Sequence, residues 1–383
     1  MTATTYFPTD RFQEETTPLY YYDLHLLDDT LDAVKAASAY PNFYVHYAVK
    51  ANSNPELLTR IAAAGLGADT VSAGEINAAI AAGFPAPKIV FAGVGKTDEE
   101  ITIALQNGIG CLNVESAPEL EAIEQIASSM GVKAPVALRV NPEIDAHTHH
   151  YITTGLAENK FGIALSMLDD LIEKCIKSES LDFRGLHFHI GSQITDFTPF
   201  KILCERINAL QEKFSGIEIP TINVGGGLGI DYDNPDENPI PDFKSYFEIF
   251  HKYLKLRPGQ QVHFELGRAI VAQCGSLITK VVFVKEGVDK KFVIVDGGMT
   301  ALIRPALYQA HHKIENITST SDINEKYDVV GPICESSDVF GTDETLPVTK
   351  RGDLIALRSA GAYGEIMASR YNCRPLPGSV FSR

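Results

Sequence analysis

The chain has 383 residues, which predicts two domains, and its 45% hydrophobic and 21% charged content is typical of a globular protein. This composition excludes collagen-like, coiled-coil and intrinsically disordered chains. The 49 acidic and 33 basic residues give a formal charge of −16, which is the wrong sign for binding nucleic acid or an anionic membrane surface.

The N-terminal residues lack the basic start and apolar stretch of a signal peptide, and no window approaches a membrane-spanning length of apolar residues. The six cysteines lie tens of residues apart without a C-x-x-C pair. This spacing favours reduced thiols over a zinc cluster or a disulfide framework. We therefore expect a cytoplasmic protein that does not enter a membrane.

Short β-like runs alternate with segments of helical period over the first two thirds of the chain. Eight such runs are found, at 46–52, 67–74, 88–94, 110–116, 134–142, 183–191, 221–229 and 262–271. The intervening segments, such as PELLTRIAAAG and GEINAAIAAG, place apolar residues three and four apart and begin with Pro or an acidic residue. The alternation predicts an α/β fold, a parallel (β/α)₈ barrel of the TIM type over 25–271, rather than an open sheet.

Beyond residue 275 the chain has little helical period. Runs such as LITKVVFVKEG and KKFVIVDGGMT are separated by Gly, Asp and Pro, which is typical of a β domain. TPLYYYD (17–23) also predicts a strand, although it precedes the barrel. We therefore expect a discontinuous β-sandwich or β-barrel domain formed by 1–24 and 272–383.

In a barrel of this type, functional residues collect at the carboxyl ends of the strands. Six of the eight runs carry, near their ends, charged or titratable residues or glycines that free the backbone: Lys50, Asp69, Arg139, His189, Gly225 to Gly227, and Glu265 with Arg268. Each of these residues alone has an ordinary structural interpretation. Their shared position favours a single functional site.

The combination favours one cofactor. The glycines of NVGGGLGI can present backbone N–H groups to a phosphate. Glu265 would be a buried carboxylate that needs a cationic partner, and a protonated pyridine nitrogen would serve. Lys50, if desolvated, would have a depressed pKa and a nucleophilic amine. Together these groups predict a site for pyridoxal phosphate.

Seven motifs resemble those of the fold-type III pyridoxal-phosphate decarboxylases, the alanine racemase and ornithine decarboxylase group. The motifs are YAVKAN (47–52), HIGSQI (189–194), GGGLG (225–229), ELGR (265–268), RPALY (304–308), GPICESSD (331–338) and GAYG (361–364). The family pattern at 265–268 is usually Glu-Pro-Gly-Arg, so Leu266 is a departure, although both charged positions are kept.

The resemblance implies roles for individual residues. Lys50 resembles the Schiff-base lysine, His189 the residue stacked on the cofactor ring, and Glu265 the partner of the pyridine nitrogen. The other cofactor-binding positions that it implies are Ser192, Gly225, Gly226, Gly227, Gly229 and Tyr363, with Asp69 and Arg139 near the cofactor.

The resemblance also implies the substrate-binding residues Arg268, Arg304, Tyr308, Glu335 and Tyr363. Cys334 resembles the thiol at the reacting carbon, and Cys334 or Lys50 would donate the proton. In the family Cys334 and Glu335 come from the neighbouring subunit, which implies a homodimer with shared active sites. The implied reaction is decarboxylation of meso-2,6-diaminopimelate to L-lysine and CO₂, the last step of lysine biosynthesis.

The residues agree with such a substrate, because two arginines and a glutamate would bind a second amino-acid head. A decarboxylase of ornithine, lysine or arginine, or an inactive homologue that binds a protein partner, are the alternatives. The histidines at 147–150 and at 311–312 suggest a metal site, but they match no established ligand spacing. We therefore expect no metal.

Overall fold

The computed structural model describes residues 7–142, 144 and 160–383. These residues form two compact units. One comprises 31–229 and 242–267 within the described ranges, and the other comprises 7–30, 230–241 and 268–383. The segment 230–241, which the sequence analysis assigned to the barrel, groups with the second unit.

The first unit is built on a closed barrel of eight parallel strands, which confirms the predicted fold class. Each strand pairs with the next along the chain, and the last pairs with the first in the register Tyr47 to Leu266. Each of the eight predicted runs overlaps one barrel strand. The strands are β2 (Phe43–Ala48), β3 (Gly67–Thr70), β4 (Ile89–Phe91), β5 (Cys111–Val114), β6 (Ala134–Arg139), β7 (Leu181–His187), β8 (Thr221–Asn223) and β9 (Gln261–Leu266).

Helices follow the strands, as the apolar spacing predicts. Several begin at a side chain that accepts a hydrogen bond from the first turn: the Ser116 hydroxyl, for example, accepts from the backbone N–H of Glu119. The helices are α1 (Thr9–Glu14), α2 (Leu24–Ala37), α3 (Pro55–Ala63), α4 (Ala73–Ala81), α5 (Asp98–Asn107), α6 (Ala117–Met130), α7 (Leu168–Lys177), α8 (Thr198–Lys213), α9 (Phe243–Tyr253), α10 (Arg268–Val271) and α11 (Arg304–Tyr308). Among the described residues, no helix has the length and apolar character needed to span a membrane.

The packing of helix α9 shows which side chains of β9 face into the barrel. Its buried residues Phe243, Tyr246, Phe247 and Phe250 recur three and four apart and form one face. Three of their rings lie 4.9–6.0 Å from the ring of Phe264 on β9. Because successive side chains of a strand point to opposite faces, this outward packing of Phe264 directs Glu265 into the barrel.

The second unit is a mostly antiparallel sheet with the strand order β12-β15-β10-β11-β13-β14. Strand β1 pairs with β10 and with β16, which confirms that the predicted N-terminal strand belongs to this domain. The strands are β1 (Leu19–Tyr22), β10 (Gly275–Glu286), β11 (Lys291–Val295), β12 (Ile314–Asn316), β13 (Asn324–Val330), β14 (Val339–Pro347), β15 (Leu354–Leu357) and β16 (Gly378–Phe381).

Strand β14 was not identified from the sequence. It ends the strand order of the sheet and most of its residues are exposed or half-buried, so VFGTDETLP lacks an apolar run. Strands β12 and β16, of three and four residues, were missed because they are short. A core beneath the sheet joins the N-terminal strand to distant parts of the chain: Phe12, Leu19, Tyr21, Ile278, Leu354, Ala356 and Val380.

The aromatic cluster of α9 predicts a stability effect. Phe250 is 1% exposed, so Phe250→Ala should lower the free energy of unfolding by about 3–5 kcal/mol through lost burial and a residual cavity. Phe283, which is 53% exposed, provides the control, and Phe283→Ala should cost less than about 1 kcal/mol. Urea unfolding followed by circular dichroism measures both; equal losses would contradict the assignment of α9 to the core.

Candidate active site

Lys50 lies on a short 3₁₀ helix, Val49–Ala51, directly after β2. Its ammonium Nζ is 3.3 Å from Oδ2 of Asp69, at the end of the neighbouring strand β3. Asp69 is fully buried, and its Oδ1 has no hydrogen-bond partner among the described residues. Burial and the nearby Glu265 carboxylate raise the pKa of Asp69, while Lys50 opposes the rise. The barrel thus places the predicted lysine beside a buried carboxyl group.

Glu265 lies inside the barrel near the end of β9 and is held by side chains from three other strands. Its Oε1 accepts hydrogen bonds from the amides of Asn223 (2.7 Å) and Asn113 (3.3 Å). Its Oε2 is 3.0 Å from Nε2 of His187. Burial raises the pKa of Glu265, but His187 and Lys50 outweigh burial and hold that pKa well below its usual range. Glu265 is therefore an ionised carboxylate in a buried position.

Sequence reasoning missed His187, Asn113 and Asn223. The signal that could have identified them is strand parity. Side chains two residues apart on a strand share a face, and His187 is two residues before His189. Asn113 and Asn223 lie at or next to the ends of their strands. A polar side chain that faces into the barrel at such a position needs a hydrogen-bond partner. A buried glutamate on β9 supplies that partner.

His189 follows β7 and lies beside the glycine-rich segment. Its Nδ1 is 3.3 Å from the backbone nitrogen of Gly226, which donates to it. Burial lowers the pKa of His189 well below its ordinary value, and the positive charges of Arg139 and Lys50 lower it further. His189 is consequently a neutral imidazole near the lysine and the buried carboxylate.

The glycine-rich segment needs glycine because other backbone lies against it. Gly225 and Gly227 have φ angles of 71° and 112°. A Cβ atom at Gly226 would lie 1.9 Å from the carbonyl oxygen of Glu265. The segment around Ser192 runs alongside, because the backbone nitrogens of Ile194 and Gly229 donate to carbonyl oxygens of the opposite segment at 2.9 and 3.0 Å. Ser192 and the glycines 225–229 thus share one end of the barrel.

Arg139 ends β6 and forms a buried ion pair with Glu115, with 2.6 Å between Nη1 and Oε1. The two oxygens of Glu115 also accept from the backbone nitrogens of Gly93 and Gly162. Glu115, which the sequence analysis did not identify, therefore joins Arg139 to the segments that contain Gly93 and Gly162.

Two arginines of the second unit lie around shared aromatic rings. The guanidinium of Arg268 donates to the hydroxyl of Tyr232 at 2.6 Å and lies 5.0 Å from the centre of the Tyr363 ring. The guanidinium of Arg304 lies 5.0 Å from the centre of the Tyr232 ring. Tyr308, four residues after Arg304 on α11, contributes to the electrostatic environment of Arg268. Both arginines are buried, at 6% and 5% exposure.

Cys334 and Glu335 are exposed, in the loop between β13 and β14. The buried Asp338 fixes this loop, because its Oδ2 accepts from the backbone nitrogen of Ile333 at 2.7 Å and its Oδ1 from that of Met299 at 2.6 Å. The carboxylate of Glu335 accepts a hydrogen bond from the hydroxyl of Tyr371 at 2.7 Å. The loop therefore holds both side chains at the surface of the second unit.

One of the two histidine groups, at 311–312, lies within the described residues. The histidine run at 147–150 lies outside the described residues, and within the described part of the chain no group of three or more His, Cys, Asp or Glu side chains is arranged to hold a metal. His311 and His312 have different surroundings, since His312 is fully buried and His311 is exposed at its side chain. The six cysteines are all described and are free thiols.

The chemistry of the barrel cluster fits pyridoxal phosphate. An amine, a buried ionised carboxylate and a neutral imidazole lie together, and glycine backbone adjoins them. The carboxylate would stabilise a protonated pyridine nitrogen, and the amine would hold the aldehyde carbon. His187 Nδ1 and Asp69 Oδ1 are buried polar atoms without partners among the described residues, as expected where a polar ligand completes the site.

Comparison with known proteins agrees with this chemistry. The sequence profile described as "Pyridoxal-dependent decarboxylase, pyridoxal binding domain" matches residues 31–272. The chain belongs to this family and is a decarboxylase that uses pyridoxal phosphate.

Individual proteins similar to this chain are diaminopimelate decarboxylases. Diaminopimelate decarboxylase of Bacteroides thetaiotaomicron is 61% identical over 374 residues, which cover 97% of each chain. The enzyme of the same name from Neisseria meningitidis serogroup B is 44% identical, covering 94% of this chain and 86% of the relative. The crystal structure of diaminopimelate decarboxylase from Helicobacter pylori complexed with L-lysine matches with a TM-score of 0.91 and 41% identity, covering 98% of this chain and 94% of that one. Within the family, the chain is thus similar over almost its whole length to diaminopimelate decarboxylases.

The His187–Glu265 contact predicts a pH effect. His187→Leu removes the side chain that most lowers the pKa of Glu265, so this pKa should rise and protonation should abolish activity at a higher pH. We expect the acid limb of the kcat profile for CO₂ release to move to higher pH, with kcat at neutral pH lower by at least about tenfold.

His263→Leu is the matched control. His263 also lies on β9, and its Nδ1 is 2.7 Å from Nε2 of His46. Among the described residues that bond to Glu265, the only histidine is His187. This variant should leave the acid limb in place. An unmoved limb in His187→Leu would show that Glu265 keeps its charge without His187.

Proposed function

We propose that the enzyme converts meso-2,6-diaminopimelate to L-lysine and CO₂, the last step of lysine biosynthesis. The observation that carries the proposal is the near full-length similarity to diaminopimelate decarboxylases. The buried arginines of the second unit support it, because a substrate with two amino-acid heads needs cationic groups for a second carboxylate.

The cofactor site that we propose uses the barrel cluster. Lys50 would hold the aldehyde carbon, His189 would lie against the ring, and Glu265 would hold the pyridine nitrogen in its protonated form. The phosphate and the remaining ring contacts would come from Ser192, Gly225, Gly226, Gly227, Gly229 and Tyr363, with Asp69 and Arg139 in support.

When bound, pyridoxal phosphate captures the substrate amine and withdraws the electrons released as CO₂ departs. The protein has three tasks. Glu265 stays ionised and so favours a positive ring nitrogen, and neutral His189 adds no competing charge. Lys50 would hold the cofactor, and the Asp69 carboxyl, 3.3 Å from its Nζ, would exchange a proton with the lysine amine.

We propose that Arg268, Arg304, Tyr308 and Tyr363 bind the carboxylate of the substrate head that does not react. Glu335 would bind the distal amino group. The Cα–carboxylate bond breaks, CO₂ leaves, and a proton from Cys334 or Lys50 takes its place at Cα.

The assembly that we propose is a homodimer in the cytoplasm, with 25–271 as the cofactor-binding barrel and 1–24 plus 272–383 as the source of substrate and dimer contacts. Exposure of Cys334 and Glu335 on a loop fixed by Asp338 supports the donation of both residues to a neighbouring subunit. The charge of −16 gives no support to a nucleic-acid partner.

A panel of substrates tests the reaction. The purified enzyme with pyridoxal phosphate should release CO₂ from meso-2,6-diaminopimelate with kcat/KM more than about tenfold above the values for lysine, ornithine and arginine, because those substrates leave a buried guanidinium without its carboxylate. Lys50→Ala is the control and should show no turnover. Equal activity on lysine or ornithine would overturn the substrate assignment, and CO₂ release by Lys50→Ala would overturn the role of the lysine.

Mixed dimers test the shared site. Lys50→Ala and Glu335→Ala homodimers should each lose most of their activity. After co-refolding in equal amounts, about half of the dimers are mixed and each contains one intact site, so roughly a quarter of the parental activity should return.

The control mixture combines Lys50→Ala with His189→Ala. Both changes lie in the barrel, so no mixed dimer contains an intact site and no activity should return. If the Lys50→Ala and Glu335→Ala mixture stays inactive after verified subunit exchange, the site is built within one chain.

A further inference from the structure

We propose that His312 is a positioning residue for the reaction: its neutral imidazole orients the guanidinium of Arg304 and leaves the positive charge of that guanidinium available for the substrate carboxylate. This inference rests on the proposed function, in which Arg304 binds that carboxylate. It assigns a role to a histidine that the cofactor chemistry does not use.

The hydrogen bonds of His312 define its tautomer. Nδ1 lies 2.8 Å from the backbone carbonyl oxygen of Arg358, which can only accept, so Nδ1 carries the hydrogen. Nε2 then has a free lone pair, and it lies 2.8 Å from Nη1 of Arg304. The guanidinium donates to this lone pair. Both ring nitrogens are satisfied, and the ring can turn only by losing one of these bonds.

The surroundings of His312 keep the ring uncharged. The residue is fully buried, and burial together with the positive charge of Arg304 lowers the pKa of His312 to about 3. The backbone carbonyl of Arg358 opposes this shift without reversing it. At neutral pH the imidazole is therefore an acceptor of no net charge toward Arg304.

Two other buried arginines, Arg358 and Arg139, are bound differently. Arg358 forms ion pairs with Asp236 at 2.8 Å and Glu315 at 2.7 Å, and Arg139 pairs with Glu115. Those guanidinium charges are neutralised within the fold. Among the described residues, Arg304 forms no ion pair with an Asp or Glu, and its partners are the imidazole of His312 and the ring and hydroxyl of Tyr232.

This difference has a direct consequence for binding. A carboxylate in place of His312 would hold Arg304 equally firmly, but it would compete with the carboxylate of the substrate for the same charge. A neutral acceptor fixes the guanidinium without that competition. Burial lowers the pKa of Arg304, and the positive charge of Arg268 lowers it further, so the pair of arginines is suited to an incoming anion.

A purely structural role is the competing explanation, because the ring of His312 also packs edge-on against Tyr232, with 5.2 Å between ring centres. Substitutions that differ by one charge separate the two roles. Gln and Glu have nearly the same shape and both can accept from Arg304, but Glu adds a negative charge.

The experiment compares His312→Gln with His312→Glu in the holoenzyme. Isothermal titration calorimetry measures the Kd of L-lysine, which keeps one carboxylate, and of 1,5-diaminopentane, which is lysine without it. We expect His312→Gln to bind L-lysine within about threefold of the parent, and His312→Glu to bind it at least about tenfold more weakly. The Kd of 1,5-diaminopentane should differ by less than about threefold between the two variants, because it has no carboxylate.

A third variant covers the case in which His312→Glu does not fold, as judged by its melting temperature. His312→Leu fills the space without an acceptor, so it should weaken L-lysine binding relative to His312→Gln and leave 1,5-diaminopentane unaffected. The role of His312 is overturned if L-lysine binds to His312→Glu with the same Kd as to His312→Gln. If His312→Glu does not fold, the same comparison is made with His312→Leu. Failure of the parent enzyme to release CO₂ from diaminopimelate would instead overturn the proposed function. The Kd comparison and the CO₂ assay therefore test the two proposals independently.

Discussion

The structure of the barrel interior depends on one buried negative charge. Glu265 is 6% exposed and ionised, which is costly unless every oxygen has a partner. The partners come from β5, β7 and β8, so the charge on β9 is compensated from across the barrel. Lys50 and His189 both interact electrostatically with Glu265, and the pKa of His189 is lowered by burial so that its imidazole is neutral. An apolar residue at 265 would leave two amides and an imidazole without their acceptor.

Two buried arginines of the second unit, Arg358 and Arg304, have different kinds of partner. Arg358 is neutralised by two carboxylates and helps to hold residues 230–241 to the sheet, since Asp236 belongs to that segment. Arg304 is instead bound by an imidazole and an aromatic ring. The first arrangement stabilises the fold, while the second preserves a charge that a ligand can use. Burial does not distinguish the two arginines, because both are almost fully buried, whereas their partners do.

Much of this organisation could be predicted before any coordinates. The eight barrel strands were identified because strands covered on both faces are continuous apolar runs. The residues of the barrel cluster were identified because they stand at strand ends. The prediction missed β14 because most of its residues are exposed or half-buried and form no apolar run. It also missed His187, whose contact with Glu265 depends on which face of β7 points into the barrel. The grouping of 230–241 with the second unit depends on contacts of Asp236, which no local pattern reveals.

The sequence by itself determined the order of the barrel strands and helices, the glycine-rich segment at 225–229 and the charged residues at the strand ends, because these follow from periodicity and residue chemistry over a few neighbours. Only the tertiary structure decided which partners each charged or titratable side chain contacts. The partners of Glu265 lie 42, 78 and 152 residues away in the chain, and the carbonyl that defines the tautomer of His312 lies 46 residues away. Protonation states depend on such distant contacts, since burial and nearby charge set a pKa and both arise only when the chain has folded.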